Sequence, residues 1–210
     1  MNILKNRGKK VFCIGRNKTG TTSIKVCLAE LGYKVGNQAK GELLLENYLV
    51  RDFNSIIKFS KSADAFQDVP FSLPYTYMFL DQAFPSSKFI LTIRDSSEQW
   101  YDSLINFHSK KFGKRKGKPT SEDLKRAMYR KKGYMWQVVN GVYGAPECDP
   151  YHKDTLIRNY ERHNYTVRQY FKYKNNLLTI NISDPGAYKK MCTFLDKPPV
   201  REIFAWENKT

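Results

Sequence analysis

The chain has 210 residues, enough for one domain with room for a helical elaboration. A hydrophobic share of 41% and an aromatic share of 14% supply a core and exclude a wholly disordered chain. Against 20 Asp and Glu stand 36 Lys and Arg, a balance of +16 that draws anions without choosing among nucleotides, sulfated or carboxylated molecules, nucleic acid and a membrane surface.

That charge is concentrated. Lys110, Lys111, Lys114, Arg115, Lys116 and Lys118 lie within nine residues, and Arg130, Lys131 and Lys132 follow. On its own such a run reads equally as a solvated loop or a binding surface. Cys13, Cys27, Cys148 and Cys192 form no CxxC pair and no zinc spacing; Cys13, Cys27 and Cys192 sit in apolar stretches and read as reduced core residues. Met1 to Lys10 is polar and basic, so no signal peptide is expected, and no run approaches the roughly 18 apolar residues of a membrane span. The expectation is a cytoplasmic protein.

Strands and helices alternate along the chain, the pattern of a parallel sheet with helices on its faces. Val11 to Ile14 reads as a buried strand, Gly15 to Gly20 as a loop, and Thr21 to Leu31 as a helix closed by Gly32. Tyr33 to Val35 is expected as a second strand. Glu42 to Phe59 is expected as a helix broken near Asn54 or Ser55, and Ala63 to Phe66 as a third strand. Leu73 to Phe84 reads as a helix with Pro74 in its first turn, and Lys88 to Ile93 as a strand. A helix from Ser96 to Lys111, a basic loop over 112–119, a helix from Ser121 to Asn140 and a loop from Gly141 to Tyr151 follow. Asp154 to Tyr173 is a long helix with Leu156, Tyr160, His163, Val167 and Tyr170 on one stripe. Leu177 to Ile182 and Gly186 to Leu195 are the last strand and helix. The fold expected is a single α/β domain over residues 1–210, with a three-layer parallel sheet, helices on both faces and a basic insertion in the region 105–150.

The most informative segment is the loop Gly15-Arg16-Asn17-Lys18-Thr19-Gly20-Thr21-Thr22-Ser23 between the first strand and helix. The first turn of a helix offers backbone N–H groups and a partial positive charge to an anion. Glycine lets the backbone come close, the hydroxyls of Thr21, Thr22 and Ser23 add donors, and Lys18 adds a full charge. The Walker A pattern places lysine after the second glycine; here Thr21 stands there and the lysine precedes it. Such a loop is poorly suited to a Mg-bound triphosphate and suits a shorter donor.

Lys18-Thr19-Gly20-Thr21-Thr22 closely resembles the 5′-phosphosulfate loop, K-[ST]-G-T-T, of sulfotransferases that use 3′-phosphoadenosine 5′-phosphosulfate (PAPS) and release 3′-phosphoadenosine 5′-phosphate (PAP). The resemblance implies a P-loop NTPase-like sulfotransferase fold of the bacterial-type branch, with Arg16, Asn17, Lys18, Thr19, Gly20, Thr21, Thr22 and Ser23 around the donor and Lys18 at the bridging oxygen and sulfuryl group. The family's second signature is a strand ending in arginine, followed by a helix carrying serine, both for the 3′-phosphate. Ile90-Leu91-Thr92-Ile93-Arg94 matches the first part. Asp102 stands where the serine usually falls and Ser103 comes one residue later, so Arg94 is the firmer match and Ser96 and Ser97 are substitutes for Ser103. An arginine at the carboxyl end of a parallel strand faces the ligand crevice, and its fork suits phosphate.

In the cytosolic members a His-x-Pro before the arginine strand supplies the base, and Asp68-Val69-Pro70 occupies that place. The resemblance makes Asp68 the candidate base, with Asp64 in reserve; Phe66 stands where those members carry a lysine. A carboxylate serves as base where a drier site raises its pKa, and Asp before Pro is equally a turn cap. His163, on an apolar stripe, reads as a core histidine, and His108 lies beside the basic loop. The activity implied is sulfuryl transfer to a hydroxyl or amine of a small-molecule, glycan or lipid acceptor that can be anionic, without metal and without a specific nucleic-acid partner. The residues leave two rivals open: a P-loop kinase, which lacks the Walker lysine, and a protein that binds anions or nucleic acid without catalysis, for which no known nucleic-acid motif is present.

Overall fold

A strand buried on both faces must be apolar at every position, and Val11–Cys13 meets that demand with each residue at 1% exposure or less. In a computed structural model, which describes residues 9–113 and 117–205, Val11–Cys13 is β1. With Ala65–Phe66 (β2), Lys88–Ile93 (β3) and Leu177–Asn181 (β4) it makes a four-stranded parallel sheet in the order β2-β1-β3-β4. Val11 pairs with Ala65 on one side and Lys88 on the other. The β3–β4 register runs from Phe89 opposite Leu177 to Ile93 opposite Asn181. The fold is α/β, as the alternation of elements predicts.

The described chain divides into two compact units: residues 9–93 with 166–205, and residues 94–165. The first holds the sheet with helices α1 (Thr21–Glu30), α2 (Gln38–Glu42), α3 (Leu45–Leu49), α4 (Phe53–Phe59) and α5 (Thr76–Ala83). The second holds α6 (Ser97–Phe112), α7 (Ser121–Arg126), α8 (Tyr134–Trp136) and a π-helical turn over Gln137–Val142. The long helix α9 (Lys153–Tyr170) contributes residues to both, and α10 (Ala187–Phe194) returns to the first.

In the first unit the two faces of β1 pack against different chemistry. Val11 and Cys13 join Ile24, Cys27 and Leu28 of α1 and Tyr188, Met191 and Cys192 of α10 in one cluster. Phe12 points the other way, as strand alternation requires, into Phe66, Phe71, Phe84 and Phe89 at centroid distances of 5.5–6.0 Å. Phe59 of α4 and Tyr77 of α5 extend this aromatic layer, so both faces carry helices. In the second unit Trp100 of α6 is fully buried and stacks on Tyr160 of α9, 4.6 Å apart and 10° from parallel. The expected stripe is inward-facing: Leu156, Tyr160, His163 and Val167 are buried and Tyr170 is half-buried.

Several boundaries move for local reasons. Tyr33 to Val35 supplies only a single bridge, from Val35 to Ala65, rather than a strand. The Glu42 to Phe59 helix becomes three short ones. Asn37 caps Lys40 and starts the first early, and the second ends at Leu49, two residues before left-handed Arg51. Asp52 caps Ser55 through both its backbone N–H and its hydroxyl, which puts the break ahead of Asn54. Tyr75, at φ 66°, delays α5 to Thr76 and leaves Pro74 outside it. Ser121 to Asn140 is interrupted at the cationic run ending in left-handed Gly133. Lys114, Arg115 and Lys116 of the basic loop lie outside the described residues. Cys13, Cys27 and Cys192 are free and buried, and Cys148 is free and exposed. Among the described residues no helix is long and apolar enough to cross a membrane.

The four rings around Phe12 make it the center of the aromatic layer. Phe12→Ala is expected to lower the unfolding free energy by about 3–5 kcal/mol, read as a shift of the urea midpoint at unchanged slope. A loss below about 1 kcal/mol would mean that this layer does not organise the sheet.

Candidate functional site

The strand order places β1 beside β3 where the connections leave in opposite directions, and the carboxyl ends of such strands form the ligand crevice of open α/β sheets. The loop leaving β1 is packed tightly there. Gly15 lies against β3 so closely that any Cβ would overlap Thr92, backbone included. Thr19, fully buried, donates its hydroxyl to the Arg16 carbonyl at 2.5 Å, which leaves its oxygen to accept from Thr92 Oγ1 at 2.6 Å. Cys13 Sγ lies 3.9 Å from the same Thr92 hydroxyl. Burial pushes the Cys13 thiol up to about 12, and the Asp68 carboxylate adds to the rise.

The rest of the loop is shaped by left-handed backbone at Lys18 (φ 66°) and Gly20 (φ 93°). Gly20 is the N-cap of α1, and a Cβ there would overlap the Ile182 side chain. No side chain caps α1 and its first turn holds no acidic residue. An anion therefore meets the positive end of the helix without a competing carboxylate. Thr21 and Ser23 are buried, while Asn17, Lys18 and Thr22 are half-buried. Arg16 is 1% exposed and donates from Nη1 to the Ser72 carbonyl at 3.3 Å.

Ser72 belongs to the segment that carries Asp68. Its N–H donates to the Asp68 carbonyl at 2.9 Å, and Val69-Pro70 is a cis peptide. Asp68 is left-handed at φ 64°, and its Oδ1 accepts the Val69 N–H at 2.9 Å, so the turn role of this aspartate is realised. Its other oxygen faces Gln38 Nε2 at 3.5 Å, and the same amide donates to Glu42 Oε1 at 2.7 Å. Gln67 Nε2 in turn donates to Gln38 Oε1 at 2.8 Å. The first unit thus brings the residues Arg16 to Ser23 and Asp68 into one neighbourhood. Asp64, the reserve, lies instead at the other end of β2, where its carboxylate accepts the Lys34 N–H at 3.1 Å.

Arg94 and Ser103 lie in the second unit. Arg94 directly follows β3, and its N–H donates to the Tyr160 hydroxyl at 3.0 Å. Burial pulls its guanidinium below the ordinary value, with Tyr160 and Asp95 pushing the other way. Such a group gains from an anionic partner. Ser96 caps α6 by accepting the Gln99 N–H, and Ser97 donates to Glu161, so both are used locally. Ser103 is buried on the side of α6 that also holds Trp100, Tyr101 and Leu104. His163 is buried, as a core histidine should be, and His108 is fully buried with Nδ1 2.8 Å from the Tyr151 hydroxyl.

The sequence reading did not single out Thr92, Gln38, Glu42, Gln67 or Tyr48. A threonine in the otherwise apolar end of a buried strand was the available signal for Thr92. For the three polar residues around Asp68 no pattern exists, because they meet only once α2 packs beside the Asp68 turn.

Two outcomes check this geometry. Gly20→Ala forces a left-handed alanine and displaces Ile182, so a stability loss of at least about 1–2 kcal/mol is expected in denaturant unfolding. In the folded chain at pH 8, iodoacetamide is expected to label Cys148 alone, read by peptide mass; labelling of Cys13 below the unfolding transition would mean that the loop opens on its own.

The sequence model of the family described as Sulfotransferase domain matches residues 10–210. No curated protein matches the chain.

Proposed function

We propose, because this chain belongs to the sulfotransferase domain family, that it transfers a sulfuryl group from PAPS to an acceptor hydroxyl or amine. The observation that carries the choice of donor is the uncapped, glycine-shaped start of α1 with Lys18 beside it and no acidic residue in the first turn. These residues fit a phosphosulfate. The cradle is closed to side chains at Gly15 and Gly20, and it carries its lysine before the second glycine, with Thr21 where a Walker loop has its lysine.

When bound, the donor supplies a sulfuryl group whose bond to the 5′-phosphate oxygen breaks as a bond to the acceptor oxygen or nitrogen forms. The chain's own residues position and neutralise. The first turn of α1, with the hydroxyls of Thr21, Thr22 and Ser23, holds the 5′-phosphate. Lys18 stabilises the charge that develops on the bridging oxygen. Thr19 shapes the loop from within, since its hydroxyl is engaged with Arg16 and Thr92. Asp68 takes the acceptor proton on the oxygen that faces Gln38, while Val69 holds the other. Gln38 fixes the orientation of that carboxylate. Arg94 and Ser103 are assigned to the 3′-phosphate, the role for which a half-buried guanidinium is suited.

Thermal unfolding with PAP, and separately with ATP and Mg, tests the donor. A ligand at 100 times its Kd stabilises by about 2.7 kcal/mol. Stabilisation by PAP alone, lost in Lys18→Ala and Arg94→Ala, is the expected result; stabilisation only by ATP with Mg would replace this reading with a kinase. Asp68→Asn is expected to lower kcat by about 10²–10⁴-fold while PAP still binds. Unchanged turnover in that variant would move the base elsewhere.

A further inference from the structure

The first unit carries a groove of about 480 Å³ lined by Arg51, Phe53, Asn54, Tyr75 and Phe79. That volume suits a ring with one or two substituents. Phe53 and Phe79 stack face to face at 3.9 Å and 8°, and Tyr48 meets Phe53 edge-on at 6.1 Å. Phe53 and Tyr48 are buried, whereas Phe79 is 40% and Tyr75 46% exposed. Two large aromatics left in water at one groove, backed by buried rings, form a preorganised apolar wall.

The polar side of the groove is cationic. Arg51 closes α3 as a left-handed residue at φ 63°, a position where glycine costs less, and Tyr75 is left-handed at φ 66°. The Arg51 guanidinium lies 5.3 Å from the Tyr48 ring, and no described carboxylate pairs with it. Tyr75 ties the groove to the loop after β1, because it stands three residues after Ser72, whose carbonyl accepts from Arg16 Nη1 at 3.3 Å.

We propose that this groove is the acceptor subsite and that it takes an aryl acceptor carrying an anionic group, the ring against Phe79 and Tyr75 and the anion on Arg51 and Asn54. The proposal rests on the sulfotransferase reading. It requires that the ring and the charge contribute separately, and that Arg51 serve the ligand rather than the fold.

The test uses the full chain saturated with PAP and three probes: 4-hydroxyphenylacetate, its neutral amide 4-hydroxyphenylacetamide, and hexanoate, an anion without a ring. Affinities are read by ligand-observed NMR titration. The acid is expected to bind about tenfold more tightly than the amide, the scale of one charge-assisted hydrogen bond, and hexanoate more weakly than either. Arg51→Gly removes the guanidinium while favouring the backbone φ. It should erase the preference for the acid, leave amide binding unchanged, and keep or raise the melting temperature. Phe79→Ala should weaken acid and amide alike. Equal binding of acid and amide, no binding of either, or an Arg51→Gly variant that still discriminates would overturn the subsite while PAP binding keeps the donor reading intact. A wild-type chain that fails to bind PAP would remove both.

Discussion

The contact between Gly15 and Thr92 is the constraint on which the rest of the structure depends. The loop leaving β1 crosses the neighbouring strand with no space for a side chain. That closeness lets Thr92, buried inside β3, hand a hydrogen bond to Thr19, and Thr19 then fixes the Arg16 carbonyl. A buried hydroxyl must be satisfied or it costs stability. The Thr92–Thr19–Arg16 chain meets that demand while locking the turn that aims the start of α1. Stability and anion geometry are thus obtained from the same bonds, and loosening one loosens the other.

The sheet supports this arrangement from two chemically distinct sides. On one, α1 packs its aliphatic and sulfur side chains beside α10, so the helix whose uncapped start follows the β1 loop is anchored through Ile24, Cys27 and Leu28. On the other, the rings around Phe12 include Phe66 and Phe71, which flank the Asp68 turn in sequence. The loop after β1 and the Asp68 carboxylate are therefore fixed by opposite faces of the same short strand. Three residues suffice for β1 because Val11 and Cys13 are buried in one layer and Phe12 in the other.

Much of this was legible in the sequence. The apolar run at Val11, the glycine and hydroxyl pattern after it, and the strand at Lys88 all follow from local rules, and the order of these elements sets the α/β class. What local rules missed were places where two caps compete. Asp52 outcompetes a helix that periodicity alone would continue, because its carboxylate binds Ser55 twice. Tyr75 stops α5 from starting earlier through a backbone angle that no residue pattern announces for tyrosine. The Gln38–Glu42–Asp68 group was invisible for a further reason: Gln38 and Glu42 share α2, and their meeting with Asp68 depends on tertiary packing. Thr92 was the exception, a polar residue in an apolar strand that could have been questioned.

The positions of strained backbone lead to the same neighbourhood. Among the described residues the left-handed non-glycine positions are Lys18, Arg51, Asp68, Tyr75 and Asp196. Asp196 has an ordinary explanation: it follows α10, where Lys197 N–H returns to the Cys192 carbonyl and Lys88 pairs with the carboxylate. The other four fall in the first unit, two in the phosphate loop and the Asp68 turn, two on the aromatic groove. Strain of this kind persists only where surrounding packing over-determines it. Here that packing is the aromatic layer around Phe12, with Phe71 between the Asp68 turn and the sheet and Phe53 stacked under Phe79. Lysine at 18, aspartate at 68 and arginine at 51 each place a charge where glycine would relax the chain. Charges held on such backbone stand at fixed angles, and the surrounding packing keeps those angles rigid.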